Sequence, residues 1–397
     1  MLHCNKSGAA MSPDHLSRTI REALAAAGLP RHVSPSVLDT IDRALASAGL
    51  AGAVPAGADP GAPGSVATAD GRGAVVDVES RWVDDAPAAA ADPAPATSPS
   101  PPRARPASGR GRFTSHEYAG PGGKRSYKLF APAGHAEAAP LPLVVMLHGC
   151  KQDPDDFARG TRMNELAQEL GFLVAYPAQS RKANGSNCWR WFEAEQQQRD
   201  GAEPSIIAGI VRELLSTQPV DPRRVYVAGL SAGAAMAVIL GQTCPDLFAA
   251  VAAHSGLPRG AAHDVGSAFA AMGAGAAAAP AQAVRAVPTI VFHGEADATV
   301  VPANGSAIVA QAVGAFARQR GPLAATAESF NAQGRRGLRT SHRDAAGELL
   351  VEHWSVQGAG HAWFGGSPAG SYAVPDGPDA SREALRFFLA HRRHVAN

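Results

Sequence analysis

The sequence predicts an α/β fold over residues 112–397: a mostly parallel central sheet flanked by helices on both sides. Strand-like apolar runs alternate there with helix-like runs, the pattern of repeated strand–helix–strand units. Several of the strand-like runs are apolar throughout rather than at every second position, which suits strands covered on both faces. A third observation is the stretch VYVAGLSAGAAMAVIL, Val225 to Leu240, in which a strand-like run passes into a helix-like run through one tight glycine-flanked corner.

Taken in order, the expected strands are RSYKLFA, LPLVVMLHG, FLVAYP, RVYVAGL, AAVAAHSG, VPTIVFHG and ELLVEHWSV. The expected helices between them include DDFARGTRMNELAQEL, EPSIIAGIVRELLST and the segment starting at Ala232, and SREALRFFLAHRR closes the chain. In open sheets of this kind ligands bind beyond the carboxyl ends of the strands. Upstream, residues 1–50 read as a small helical hairpin: Ser12-Pro13 and Ser34-Pro35 supply an N-cap and a first-turn proline, and Gly28 and Gly49 stand where C-terminal caps belong. Leu16, Ile20 and Leu24 make one apolar stripe and Val37, Ile41 and Leu45 another. Such a hairpin is too small to be stable alone and is expected to dock on the main domain or on its own copy in a dimer, or to offer its apolar face to a hydrophobic particle. Residues 51–111 are rich in Ala, Pro, Gly and Ser and read as a disordered linker, because that composition buries too little apolar surface to offset its ordering entropy. The short interruption AVVDVESRWV gives no functional reading.

Charge and composition exclude several classes of function. Across 397 residues, 36 Lys and Arg face 35 Asp and Glu, leaving a formal charge of +1. No broad field therefore attracts nucleic acid or an anionic membrane. No apolar segment is long enough to span a bilayer, and the first residues lack the apolar core of a signal peptide, so a cytoplasmic location is expected. The cysteines, Cys4, Cys150, Cys188 and Cys244, fit neither a disulfide scaffold nor a metal-ligand spacing and are expected as buried thiols; their spacing does not decide whether Cys150 pairs with Cys188. Neither a metal nor an organic cofactor is called for.

The corner at Gly229-Leu230-Ser231-Ala232-Gly233 is Gly-x-Ser-x-Gly between a strand and a helix, the nucleophile elbow of α/β-hydrolases. A serine hydroxyl needs a base to take its proton and a third group to orient that base, and in this fold they follow in the order serine, acid, histidine. Asp297, just past the strand VPTIVFHG, is the expected acid, with Glu295 in the same loop as its competitor. Among the later histidines, His342 lies in a charged stretch and His353 inside a strand. His361, in the glycine-flanked loop after the last strand, is the expected base. The histidines that end strands, His148, His254 and His293, are expected to hydrogen-bond within loops. The oxyanion of a tetrahedral intermediate needs two backbone donors, for which Ala232, following the serine, and Cys150, in LHGCKQ, are the candidates.

The motifs LHGCKQ, NCWRWFE, GLSAGAAMA, HGEAD and GAGHAWFGG together resemble the polyhydroxybutyrate depolymerase family of esterases, related to feruloyl and acetylxylan esterases, over residues 112–394. The resemblance implies Ser231, Asp297 and His361 as a catalytic triad, Cys150 and Ala232 at an oxyanion hole, and hydrolysis of poly(3-hydroxybutyrate) or its oligomers through an acyl-enzyme. The chain is similar to intracellular members in lacking a recognisable signal peptide or an obvious C-terminal polymer-binding domain, so native intracellular granules or soluble oligomers are expected as substrate rather than external crystalline polymer. A feruloyl, acetyl or other short-chain esterase uses the same machinery, since specificity resides in loops. A granule-associated protein without activity is the alternative of another class, against which stand the three filled triad positions. Trp189, Trp191 and Trp363, near Phe192 and Phe364, are expected to line an apolar substrate cleft. The long connection between Ser255 and Pro288 is expected to be a lid or cleft wall.

Overall fold

The computed structural model describes residues 110–135, 139–276 and 286–393. The hairpin expected over 1–50, and all of the 51–111 linker but its last two residues, lie outside the described residues.

Among the described residues, ten strands form one sheet: β1 (Arg112–Gly120), β2 (Gly123–Ala131), β3 (Leu141–Leu147), β4 (Leu173–Pro177), β5 (Val220–Leu230), β6 (Ala250–His254), β7 (Thr289–Gly294), β8 (Ala324–Ala332), β9 (Arg335–Arg343) and β10 (Leu349–Val356). Their order is β1-β2-β4-β3-β5-β6-β7-β10-β9-β8. The six central strands, β4-β3-β5-β6-β7-β10, are mutually parallel. Antiparallel pairs close both edges, β1 and β2 beside β4 and β9 and β8 beside β10.

Strand β3 illustrates why several of the central runs are apolar throughout. Leu143, Val145 and Leu147 join the core on one face of the sheet with Ile207, Met236 and Phe248. Val144 and Met146 point to the other face, among Phe157, Tyr226 and Phe388. With side chains alternating across the sheet, a strand covered on both faces has no polar position. Full burial of a Val, Leu or Met side chain stabilises by about 1.5–3 kcal/mol, so these two layers are the main source of stability.

Helices α3 (Ala202–Thr217), α4 (Ala232–Thr243), α5 (Val265–Ala274) and α6 (Ala303–Arg320) cover the first face, and α1 (Pro154–Thr161), α2 (Met163–Leu170) and α7 (Ala380–Leu389) the second. The run DDFARGTRMNELAQEL, expected as one helix, is divided into α1 and α2 at Arg162, which sits in the left-handed region at φ 56° and closes α1 by bonding its N–H to Ala158 O. Because β3, β5, β7 and β10 run the same way, their carboxyl ends and the loops that follow them share one edge of the sheet.

Candidate active site

The corner after β5 is forced by close packing. A Cβ on Gly229 would lie 2.3 Å from the carbonyl carbon of Gly233, and one on Gly233 would lie 2.1 Å from Leu147 O at the end of β3. Only glycine fits either position, which is why the motif carries both. Ser231 is left at φ 57° and ψ −120°, a conformation that costs a non-glycine residue energy and recurs where function requires it. Its N–H bonds His254 O at 2.9 Å and its carbonyl accepts from Ala235 N at 3.0 Å. The side chain makes no capping bond to α4, so the hydroxyl is not used to end the helix.

Beyond β7, the turn that carries Asp297 packs against the loop after β10. Glu295 N–H bonds Val356 O and Ala296 N–H bonds Ala359 O, while a Cβ on Gly294 would lie 2.2 Å from that same Ala359 carbonyl oxygen. This contact delivers His361 to Asp297, whose Oδ2 accepts from His361 Nδ1 at 2.8 Å. Asp297 Oδ1 accepts from the N–H groups of Thr299 and Val300, both at 2.9 Å. Burial alone would raise the Asp297 carboxyl, but the hydrogen bond and charge of His361 and the Val300 N–H outweigh it and hold the group below the usual carboxylate range. With Nδ1 donating to Asp297, His361 presents Nε2 as a lone pair. Glu295, the competing acid, instead accepts from Ser355 Oγ at 2.8 Å.

Of the strand-ending histidines, His293 bonds within its own loop region, whereas His148 and His254 also bond the backbone of other loops. His254 is fully buried, its Nε2 accepting from Phe364 N–H at 3.2 Å while its ring stacks on Trp363. Burial, with His293 and His361 adding to it, pushes the His254 imidazole well below its ordinary value. His254 therefore links the two halves of the site: its carbonyl receives Ser231 N–H, and its ring supports the residues that follow His361. His293 donates from Nε2 to Val300 O at 2.8 Å and lies 3.5 Å from Asp297 Oδ2.

The loop after β3 adjoins the serine from the other side. A Cβ on Gly149 would lie 3.6 Å from Ser231 Cβ. His148 donates from Nδ1 to Gly149 O at 2.8 Å, and Gly149 N–H donates to Gln152 Oε1 at 2.9 Å. Lys151 N–H bonds Ser186 O. Ala232 opens α4, where a backbone N–H has no intrahelical acceptor.

Cys150 and Cys188 form a disulfide, correcting the expectation of free thiols for two of the four cysteines. Cys244 is free and buried, as expected, and Cys4 lies outside the described residues. The partner loop is anchored by the buried Glu203, which accepts from Gln179 Nε2, from Arg190 N–H at 2.8 Å and from Arg190 Nε at 3.1 Å. Gln179 Nε2 also reaches Cys188 O at 2.9 Å. Sequence reading missed Glu203 and Gln179, because a lone Glu in a helix and a lone Gln in a loop carry no local signal of their joint burial.

The three tryptophans expected to line a cleft do not. Trp189, Trp191 and Trp363 are 0, 5 and 1% exposed. Trp189 and Trp191 belong to the core on one face of the sheet and Trp363 to that on the other. The indole donors of Trp189 and Trp363 are used internally, to His148 O and Ser381 Oγ. Tryptophan is highly buried on average wherever it stands in the chain. The expected lid is in part fixed: Gln197 bonds Ala262 O and Gly260 N–H, and Arg259 Nε bonds Gln197 O, while residues 277–285 lie outside the described residues. Among the described residues no group of three or more His, Cys, Asp or Glu side chains could hold a metal ion, and no helix is long and apolar enough to cross a membrane.

Residues 125–338 match the family described as Esterase PHB depolymerase. The chain is 33% identical over 254 residues to poly(3-hydroxyalkanoate) depolymerase C of Paucimonas lemoignei, covering 61% of this chain and 59% of that protein. It is 29% identical over 192 residues to acetylxylan esterase A of Emericella nidulans, covering 44% of this chain and 62% of that one. It thus spans about three fifths of the length of each of these two relatives. Among solved structures, an acetyl xylan esterase from Aspergillus awamori shares the α/β-hydrolase fold, with a TM-score of 0.53 and 20% identity over 70% of this chain and 99% of that one.

Proposed function

The chain belongs to the Esterase PHB depolymerase family, and from that premise we propose that it is a serine esterase hydrolysing the ester bonds of poly(3-hydroxybutyrate) or its oligomers through an acyl-enzyme. The observation that carries this reading is the 2.8 Å bond from His361 Nδ1 to a buried Asp297 carboxylate, in a molecule whose Ser231 occupies a left-handed corner at a helix N-terminus.

Ser231 Oγ attacks the ester carbonyl as His361 Nε2 takes its proton. Asp297 holds the imidazole in the tautomer this requires and stabilises its charge once protonated. The carbonyl oxygen, now an oxyanion, accepts from the N–H groups of Ala232 and Cys150. Collapse of the tetrahedral intermediate breaks the bond to the alcohol oxygen, which leaves with the proton from His361. Water then attacks the acyl-enzyme by the same steps and regenerates Ser231. None of these steps calls for a metal or organic cofactor.

A feruloyl, acetyl or other short-chain esterase is the second reading, favoured by the likeness to acetylxylan esterase A. Contact with polyhydroxyalkanoate granules and a cytoplasmic location are part of the proposal. Against that location stands the Cys150–Cys188 bond, since disulfides persist mainly in oxidising compartments; cell fractionation decides between them. The test of function is release of 3-hydroxybutyrate monomers and dimers from amorphous polymer granules, run beside methyl ferulate and p-nitrophenyl butyrate. Ser231→Ala is expected to lower turnover by on the order of 10³- to 10⁶-fold with the fold intact. Near-normal turnover in that variant discards Ser231 as nucleophile, and faster cleavage of methyl ferulate than of polymer favours the second reading.

A further inference from the structure

Tyr372 is absent from the chemistry above, yet three observations single it out beside His361. It is 44% exposed, whereas Trp189, Trp191 and Trp363 are buried. Its ring stands edge-on to that of His361, with centroids 6.4 Å apart and an interplanar angle of 78°. Its backbone is held at φ 51°, a conformation costly for a bulky residue and kept only where the surroundings enforce it.

The enforcing contacts come from both sides of the site. Tyr372 O accepts from Trp363 N–H at 2.7 Å, two residues after His361. Ser371 O accepts from Gln152 Nε2 at 2.9 Å, and the Oε1 of the same Gln152 holds Gly149 N–H beside Ser231. Ser371 N–H and Oγ both bond Asp156. The segment carrying Tyr372 is therefore tied to the base on one side and to the loop after β3 on the other, and it exposes an aromatic ring at a strained position.

We propose that Tyr372 is a specificity-determining residue whose ring forms the wall for the alcohol portion of the ester, the part that departs with the proton carried by His361. The inference rests on the esterase reading of Ser231 and His361. An ester bound for attack directs its alcohol oxygen toward the base that will protonate it, so the side chain beside that base meets the alcohol rather than the acyl group. The substrates this wall selects are esters whose alcohol portion is extended and partly apolar, such as a further hydroxyacyl unit, over esters of methanol.

The test holds the acyl group constant. Methyl 3-hydroxybutyrate and the methyl ester of the linear hydroxybutyrate dimer give the same 3-hydroxybutyryl-enzyme at Ser231 when the dimer is cut at its internal ester, and they differ in the alcohol released. Tyr372→Asn, chosen because Asn tolerates a left-handed backbone, is expected to lower the dimer-to-methyl-ester ratio of kcat/KM by roughly 10-fold or more. Tyr372→Phe, which keeps the ring, is expected to hold the wild-type ratio. With p-nitrophenyl 3-hydroxybutyrate the loss in Tyr372→Asn falls on the burst of nitrophenol, formed while the alcohol is still present, rather than on the steady state that follows. An unchanged ratio in Tyr372→Asn overturns the proposal, as does a ratio lowered as far by Phe as by Asn, or a loss confined to the steady state. Failure of the wild-type protein to cleave any of these esters instead removes the esterase reading, and the inference with it.

Discussion

The two flanks of Ser231 are held in place by different means. On the side of β7 and β10, a turn and a loop are joined by backbone bonds and by the side-chain contact of His361 with Asp297. On the side of β3, the loop carrying Gly149 and Cys150 is fixed indirectly, by Gln152, by His148 and by a disulfide to a loop that the buried Glu203 anchors. The difference follows from what each flank has to do. Proton transfer is performed by side chains, which can be oriented by direct contact. Oxyanion stabilisation is performed by backbone N–H groups, whose direction is set only by constraining the chain around them.

Substitutions on the first flank should therefore remove a chemical step, and those on the second should loosen a geometry. The largest expected effect is that of Asp297→Asn, which leaves the volume unchanged but favours the wrong imidazole tautomer; kcat on p-nitrophenyl butyrate is expected to fall on the order of 10⁴-fold. A loss below tenfold would mean that Asp297 does not orient His361. Cys188→Ser, which frees the loop after β3 without touching the Cys150 N–H, is expected to lower kcat roughly 10-fold, less than the ~10²- to 10³-fold that follows loss of an oxyanion donor. A loss as great as that of Asp297→Asn would break the distinction between the flanks.

The smallest effect concerns stability, with no change in the chemical step. Burial, with His293 and His342 nearby, pushes His353 in β10 from its ordinary 6.5 down to about 4. The unfolded chain takes up this proton near pH 6.5 while the folded chain resists until about pH 4, so the stability contribution is complete above 6.5 and is lost as pH falls through that window. Replacing His353 by Gln is expected to make the decline of unfolding free energy between pH 6.5 and 4, measured by urea denaturation, shallower by up to about 1.4 kcal/mol per pH unit. A wild-type profile that is flat across this range would contradict it.

The parts of the fold legible in the sequence are those where burial leaves one residue class available. The runs that became β3 and β4, and the carboxyl-terminal half of β5, are apolar almost throughout because both of their faces are covered, whereas β10 keeps Glu352, His353 and Ser355 among its apolar residues. The glycines at 229 and 233 are legible because no other residue fits. Strands β8 and β9 were missed because β8 is almost entirely exposed and β9 has few buried positions, leaving no apolar period to read; the Gln333-Gly334 turn between them, with φ of 44° and 79°, was the available signal. Helix α6 was missed because Gly305 and Gly314 interrupt its pattern, and Gly305 is required where the helix passes His293. Ser231, Asp297 and His361 are legible from their positions at strand ends, and the fold brings Asp297 and His361 into contact. The aromatics misled because composition reports that a loop holds rings, not which side of the loop they face. Trp363 and Tyr372, nine residues apart, lie on opposite sides of that distinction.

The central claim is that Ser231 is an activated nucleophile served by His361. Reaction with a fluorophosphonate followed by peptide mass spectrometry tests it directly. The adduct is expected on Ser231 alone, with labelling slowed at least about 10²-fold in His361→Gln; an adduct elsewhere, or labelling of Ser231 at the same rate without the imidazole, would contradict the account.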